Sequence, residues 1–122
     1  MVIAGNDRAN NMTKFLSHEE FCPDAKVPLE GIRVLDLSRL VSGNMVTHVL
    51  ADYGAEVVKV EKPGSGDDLR NWTTDGVSTH WKGYCRNKKS ISLDLRKTKG
   101  REILLKLIEK FDVLVENFKP GT

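Results

Sequence analysis

The sequence predicts an α/β fold with a Rossmann-like, mostly parallel sheet and flanking helices. The order strand–helix–strand occurs twice, at 32–61 and at 90–117, and helical crossovers of this kind join parallel strands, almost always with right-handed connections. Three of the four strands contain the apolar runs "VL", "VV" and "VLV", which are typical of strands covered on both faces. A chain of 122 residues holds one domain with a single modest core.

The first unit begins with a buried strand at about 32–38, "GIRVLDLS". "SGNMVTHVLADYG" predicts a helix, because its apolar residues recur along one helical face. Those residues are Met45, Val46, Val49, Leu50 and Tyr53. Ser42 suits the N-cap of this helix and Gly54 suits its C′ position. "AEVVKVEK" then predicts the second strand, which ends at Pro63.

The second unit follows an irregular crossover at 63–89, which contains "PGSGDDLRNW" and a short segment around His80–Tyr84. "SISLDL", at 90–95, alternates apolar and polar residues and predicts a third strand with one less covered face. A helix is predicted at about 98–110 and a fourth strand, "DVLVEN", at 112–117.

Composition and motifs exclude several classes of protein. Residues 1–27 have no sustained period and are expected to form a mobile extension, which leaves 28–122 as the patterned domain. No apolar stretch reaches the roughly 18–20 residues that span a bilayer, and no secretory signal is recognisable. Two isolated cysteines and three scattered histidines indicate neither a disulfide framework nor a metal site. We therefore expect a cytoplasmic protein without a metal.

Positive charge is concentrated in one stretch of the chain. Lys82 to Arg101 contains eight Lys and Arg against one acid, which is +7 in a chain of formal net charge +2. A basic run of this kind favours an anionic partner, but it lacks the interleaved aromatic residues of a nucleic-acid site. The GxGxxG motif of a dinucleotide site is also absent.

Polar groups follow each predicted strand. Residues 39–42, Lys62, Arg96 and 117–119 come directly after the four strands, and in an open α/β sheet ligands bind beyond the carboxyl ends of the strands. Cations, a helix N-terminus, an amide and an aromatic ring suit a phosphorylated nucleotide. Phe118 could equally belong to the core.

Other charged residues have simpler expected roles. Asp36, inside the first strand, is expected to pair with backbone or a neighbouring base rather than to catalyse. The two carboxylates of "GSGDD" are expected to cap a turn or bind Arg70. Five lysines and arginines of the basic run are expected to be mainly solvated surface charge: Lys88, Lys89, Lys97, Lys99 and Arg101.

Three blocks together carry a resemblance to a known family. They are "PLEGIRVLDLSRLVSG…LADYGAEVVKVEKPGSGDDLR", "RNKKSISLDLRKTKG" and "DVLVENFKPG". In this order they resemble the N-terminal part of the large, CoA-binding domain of family III CoA-transferases, over residues 28–122. The 2-methylacyl-CoA racemases share this fold and much of the pattern, but Asn87 and Asn117 favour the transferases.

The resemblance implies coenzyme A as co-substrate and a set of residues that contact it. Val41 and Ser42 match the family's CoA-contacting loop after the first strand, where Asn44 stands in place of the usual Pro. The position of Lys62 implies a basic side chain against the adenine. Leu93 matches the adenine wall.

Three further matches complete the implied coenzyme A site. Arg96 matches a phosphate contact, and Asn117 with Phe118 match the pantetheine side. The family further implies acyl-CoA and carboxylic acid substrates, and an interlocked homodimer.

The chemistry of the family depends on a nucleophilic aspartate that lies downstream of "ENFKPG". None of the candidate aspartates in this sequence matches it: Asp67, Asp68, Asp94 and Asp112. We therefore assign no catalytic residue and expect an N-terminal fragment of a CoA-transferase that does not catalyse transfer alone. A non-catalytic module that binds CoA or a nucleotide, and a protein-interaction fragment without a ligand, remain alternatives.

Overall fold

A computed structural model describes residues 22–122. Its strands are β1 (Arg33–Asp36), β2 (Glu56–Glu61), β3 (Lys88–Ser92) and β4 (Val113–Val115); its α-helices are α1 (Ser42–Asp52), α2 (Thr79–Tyr84) and α3 (Thr98–Ile108). A 3₁₀ helix spans Asp68–Asn71. Most of the expected N-terminal extension lies outside the described residues, and its last part, 22–27, is exposed and contains a turn.

The four strands form one parallel sheet in the order β3-β2-β1-β4. The predicted parallel α/β fold is thereby confirmed. The chain moves outward from β1 through β2 to β3, and then returns to the other side of β1 to form β4. The strand order therefore reverses between β1 and β4, and α/β folds bind ligands beyond the carboxyl ends of the strands at such a reversal.

Helices cover both faces of the sheet. On one face, Val34 and Val57 pack with Ala51 of α1. On the other, Leu35 and Val60 pack with a row of residues from α3 and its end, namely Leu104, Leu107, Ile108 and Phe111. Strand residues alternate between the two faces, so neighbouring residues of β1 and β2 belong to different apolar clusters.

The two outer strands differ from the prediction. β3 begins at Lys88 and ends at Ser92. It ends there because the carboxylate of Asp94 accepts a hydrogen bond from the N–H of Arg96 at 3.1 Å and turns the chain towards α3. β4 was expected to be covered on both faces, yet Leu114 is exposed. β4 is an edge strand of the sheet in residues 22–122.

Helix α1 presents an unexpected face to the sheet. Its buried residues are Gly43, Asn44, Thr47 and Ala51. Most of its apolar face is exposed instead: Met45, Val46, Val49 and Tyr53 are 44–55% accessible. An amphipathic helix ordinarily buries its apolar stripe, but here the sheet beneath the first half of α1 is itself polar.

The ends of α1 show one success and one error of the sequence prediction. Gly54 follows the helix with φ +97°, as its expected C′ position requires. The N-cap is Val41 and not Ser42, and no side chain caps the first turn. Gly43 explains how close this turn lies to β1, because a Cβ there would lie 2.1 Å from the Cβ of Ser38.

A buried ionic network replaces the apolar core beneath α1. Lys59 of β2 is 1% exposed, and its ammonium group donates to the carbonyl oxygen of Ser38 at 2.6 Å. The same group lies 3.0 Å from Asp67 and 3.8 Å from Asp36. Buried charges are stable only when they are paired and hydrogen-bonded. This lysine therefore ties β1, β2 and the crossover together.

The network contains a second buried lysine. The ammonium group of Lys88 lies 3.2 Å from Asp36 and donates to the hydroxyl of Thr47 at 2.6 Å and the carbonyl of Asn44 at 2.9 Å. The prediction that Lys88 is solvated surface charge is wrong, since its side chain is 2% exposed. Burial lowers the pKa of Lys88, while Asp36 opposes that shift. Asp36 pairs with bases and the Ser38 N–H, as expected.

No helix in residues 22–122 has the length and apolar character that crossing a membrane would require.

The exposed face of α1 predicts self-association. An apolar patch of this kind marks a contact surface, so we expect light scattering to detect species larger than a monomer as concentration rises. Val49→Lys should shift the population towards monomer, whereas Glu102→Lys on α3 should not. A compact monomer at all concentrations would contradict this expectation.

The buried network predicts a large difference between two lysines. Lys59→Met removes the ion-pair partner of the buried Asp67 and one of the two lysine partners of Asp36, and it should lower the free energy of unfolding by about 3–5 kcal/mol. Lys62→Met removes only an exposed ion pair and should change it by less than about 1 kcal/mol. Denaturant unfolding measures both values. Equal effects of the two substitutions would show that the buried network is not a major source of stability.

Candidate functional site

A cavity of about 510 Å³ lies at the carboxyl edge of the sheet. It is lined by residues that follow β1, β2, β3 and β4 and by the first part of α3. Its lining includes Leu37, Lys62, Leu93, Arg96, Arg101 and Phe118. Its volume falls within the range of small-molecule sites, and it lies where this class of sheet binds ligands.

One wall of the cavity is apolar. Leu37, Val60 and Leu93 belong to the cluster between the sheet and α3, and each also lines the cavity. Phe118 does the same, so it is both a core residue and a cavity wall. The cavity can therefore hold a flat or aliphatic group against a preformed apolar surface.

Cationic side chains also line the cavity. Arg39 and Lys62 each lie 2.6 Å from the carboxylate of Asp68. Arg96 has no ion-pair partner among the residues that the structure describes. Its charge is consequently available to an anion.

Arg101 has a role that sequence reasoning missed. Its guanidinium donates to the carbonyl oxygens of Arg96 at 2.9 Å and Leu95 at 3.3 Å. It therefore fixes the turn that carries Arg96, although it was expected to be mainly solvated surface charge. No local sequence pattern could have identified this role, because the contacts depend on the folded geometry of the turn.

The loop between β1 and α1 is held by side chains from elsewhere in the chain. The amide of Asn117 accepts from the N–H of Arg39 at 2.8 Å and donates to its carbonyl at 2.9 Å. Leu40 has φ +60°, a left-handed conformation that is costly for a branched side chain. Asp67 accepts from its N–H at 3.1 Å, and Asn44 donates to its carbonyl at 2.5 Å.

The turn "GSGDD" is fixed by Glu61. Burial raises the pKa of Glu61, but hydrogen bonds from Arg70, Ser90 and the Asp67 N–H outweigh burial and lower it to about 2. Arg70 also stacks on Trp81, 3.6 Å from the ring centre. The carboxylate of Asp67 caps the 3₁₀ helix, as expected, by accepting from the Leu69 N–H. Arg70, however, binds Glu61 and neither carboxylate of the turn.

The structure brings together four of the seven expected site residues in one cavity: Lys62, Leu93, Arg96 and Phe118. Val41, Ser42 and Asn117 do not line it: Val41 and Ser42 begin α1, and Asn117 follows β4. The Ser42 hydroxyl accepts from Asn117 at 3.3 Å, so these residues shape the loop at the edge of the site.

The thiol of Cys85 is not set up as a nucleophile. Burial raises its pKa to about 11, although Lys88 opposes this shift. It therefore stays protonated at neutral pH, and a thiol is a weak nucleophile compared with its thiolate.

Comparisons with known proteins agree with the fold and indicate the family. Residues 29–122 match the family model of CoA-transferase family III. The chain is 47% identical over 97 residues to succinyl-CoA:glutarate CoA-transferase from Homo sapiens, covering 77% of this chain and 22% of that protein. It is 48% identical over 96 residues to formyl-CoA:oxalate CoA-transferase from a Bradyrhizobium species, covering 76% of this chain and 23% of that protein.

A solved structure supports the same relationship. A CAIB/BAIF family protein from Brucella suis superimposes with a TM-score of 0.72 and 38% identity, covering 80% of this chain and 27% of that one. The chain thus spans less than a quarter of the length of these curated relatives. The similarity concerns the N-terminal part of a longer family pattern.

Proposed function

Because the chain belongs to CoA-transferase family III, we propose that it binds coenzyme A at the carboxyl edge of its sheet. We propose further that it is part of an enzyme that transfers CoA between an acyl-CoA and a carboxylic acid. The observation that carries this proposal is the cavity where cations follow β2 and β3 beside an apolar wall. CoA has the matching chemistry, since it joins phosphates to an adenine ring and a long pantetheine arm.

In this proposal the nucleotide end of CoA lies beyond the carboxyl ends of β2 and β3. Arg96 has no ion-pair partner among residues 22–122, so it supplies the main phosphate contact. Lys62 also lines the cavity and contributes a second cation. Leu93 provides an apolar wall for the adenine. Charge-assisted contacts to phosphate are among the stronger hydrogen bonds of proteins.

The pantetheine arm would follow the reversal point between β1 and β4. Phe118 gives it an apolar surface, while Asn117 holds the main chain of Arg39 and so fixes the adjoining loop. Val41 and Ser42 begin α1, and N–H groups at the start of a helix favour negative or acceptor groups. These residues bind and orient CoA; none of them is proposed to be a nucleophile.

The substrates, assembly and location form part of the same proposal. The names of the relatives support small carboxylic acids as acceptors and their acyl-CoA counterparts as donors. The exposed face of α1 supports a homodimer, with 28–122 as the N-terminal part of the CoA-binding domain. Cys22 and Cys85 are free thiols, which suits a reducing compartment such as the cytoplasm.

Binding of CoA tests the proposal through Arg96. Arg96→Ala should weaken binding by about ten- to a hundredfold, because a hydrogen bond to a charged group contributes roughly 1.5–3 kcal/mol. Isothermal titration calorimetry at low salt measures this change. Dephospho-CoA, titrated in parallel, reports whether the 3′-phosphate is part of the contact.

Lys99→Ala is the matched control. Lys99 lies on the following helix, is 81% exposed and is 3.8 Å from Glu102, so its removal should alter CoA binding by less than about threefold. Equal affinities of the two variants would disprove the proposed site at the strand ends. Absence of CoA binding to the unsubstituted protein would disprove the proposed function.

A further inference from the structure

One carboxylate, that of Asp68, pairs with two of the cations that line the cavity. Oδ2 of Asp68 lies 2.6 Å from the guanidinium of Arg39, and Oδ1 lies 2.6 Å from the ammonium group of Lys62. All three side chains are between 39% and 49% exposed. Neither cation has another acidic partner among residues 22–122.

Asp68 lies in a part of the crossover that hydrogen bonds hold in place. Asp68 opens the 3₁₀ helix, and Asp67 caps that helix. Glu61 accepts from the N–H of Asp67 at 2.8 Å and pairs with Arg70 at 2.7 Å. A turn that is anchored on both sides of Asp68 holds its carboxylate near the two cations.

We propose that Asp68 is an internal counter-anion: it occupies the place of a ligand phosphate between Arg39 and Lys62, and a phosphate-bearing ligand must displace it. This inference rests on the proposed binding of CoA, and it adds a residue that sets the affinity of that site. The shared chemistry is simple, since a carboxylate and a phosphate both offer two oxygen acceptors to neighbouring cations.

The surrounding charges favour displacement of Asp68 by a ligand over a permanent pairing of Asp68 with Arg39 and Lys62. Arg96 is available at the same cavity, so a polyanion can bind there before it competes for Lys62. The Arg39 and Lys62 contacts are exposed, and exposed ion pairs are weak enough to exchange. The hydrogen bond from Lys62 lowers the pKa of Asp68, so the carboxylate is ionised and competes at neutral pH.

Competition also predicts how the site selects ligands. A ligand with one phosphate can satisfy Arg96 without displacing Asp68. A ligand with several phosphates gains two further cations when it does so. Asp68 therefore lowers the affinity of extended polyanions that must displace it, and it leaves ligands held by Arg96 alone nearly unaffected.

The substitution Asp68→Asn tests this role. It removes the competing charge while keeping the size of the side chain, and CoA should bind about five- to twentyfold more tightly by calorimetry, as expected for the loss of two exposed ion pairs. Acylation of Lys62 by a small amine-reactive reagent, followed by mass spectrometry, should rise in the variant and fall again when CoA is added.

Glu56→Gln is the matched control. Glu56 also bridges two cations, with Lys89 at 2.6 Å and Arg33 at 3.4 Å, and the substitution changes the net charge equally. Glu56 begins β2 while Lys62 follows its end, so the two sites are separated by about 20 Å of strand. These titrations are made at about 0.15 M salt, where charges are screened beyond about 8 Å. Its effect on CoA affinity should stay below about twofold.

The possible outcomes are distinguishable. Tighter binding only in Asp68→Asn supports the inference. Weaker binding in that variant would mean that Asp68 braces the cations for the ligand, and equal gains in both variants would mean a general effect of charge; either result overturns the inference while leaving the proposed function intact. Failure of all three proteins to bind CoA would overturn both.

Discussion

The burial of Lys59 is the constraint on which the rest of the structure depends. An ammonium group that is 1% exposed needs carboxylate and carbonyl partners at short range, and it finds them in Asp36, Asp67 and the carbonyl of Ser38. These partners come from β1, from the crossover and from the turn after β1. Satisfying one lysine therefore fixes three segments around the carboxyl edge of the sheet. Asp67 in turn accepts from Leu40 and holds the loop in its left-handed conformation, so the interior chemistry sets the shape of the rim.

The buried network and nearby ion pairs account for part of the positive charge concentrated at 82–101. Lys88 enters the buried network with Asp36, while Lys89 pairs with Glu56 and Arg86 with Asp52. Three of the eight cations of this stretch are thus paired within the protein, and none of the three lines the cavity. The availability of Arg96 is distinctive for this reason: it combines a position after β3 with the absence of an ion-pair partner among residues 22–122. Local geometry, and not the total charge of the segment, supports the proposed binding of CoA phosphates.

Sequence reasoning predicted the features that follow from apolar periodicity and failed where polar residues are buried. The two crossovers and the runs in β1 and β2 led to the parallel sheet, and Gly54 marked the end of α1. Periodicity gave no sign that Asn44 and Thr47 would face the sheet, since polar residues ordinarily face solvent. The burial of Lys88 escaped prediction for the same reason: its partners are distant in sequence, and only the folded sheet brings Asp36 beneath it. Four proposed site residues line one cavity because they lie beyond the carboxyl ends of β2, β3 and β4. The bracing role of Arg101 depends on a turn geometry that no local pattern specifies.

The most direct measurement of the central proposal is a map of CoA contacts across the whole sheet. Backbone amide chemical shifts of the isotopically labelled protein can be followed by NMR during titration with CoA. The largest changes should lie just beyond β2, β3 and β4 and in the loop before α1, with the amides of Leu93, Arg96 and Phe118 among them. The amino ends of the same strands, near Arg33 and Lys89, should remain unchanged. Changes confined to those amino ends or to the outer face of α1 would contradict a CoA site at the carboxyl edge of the sheet.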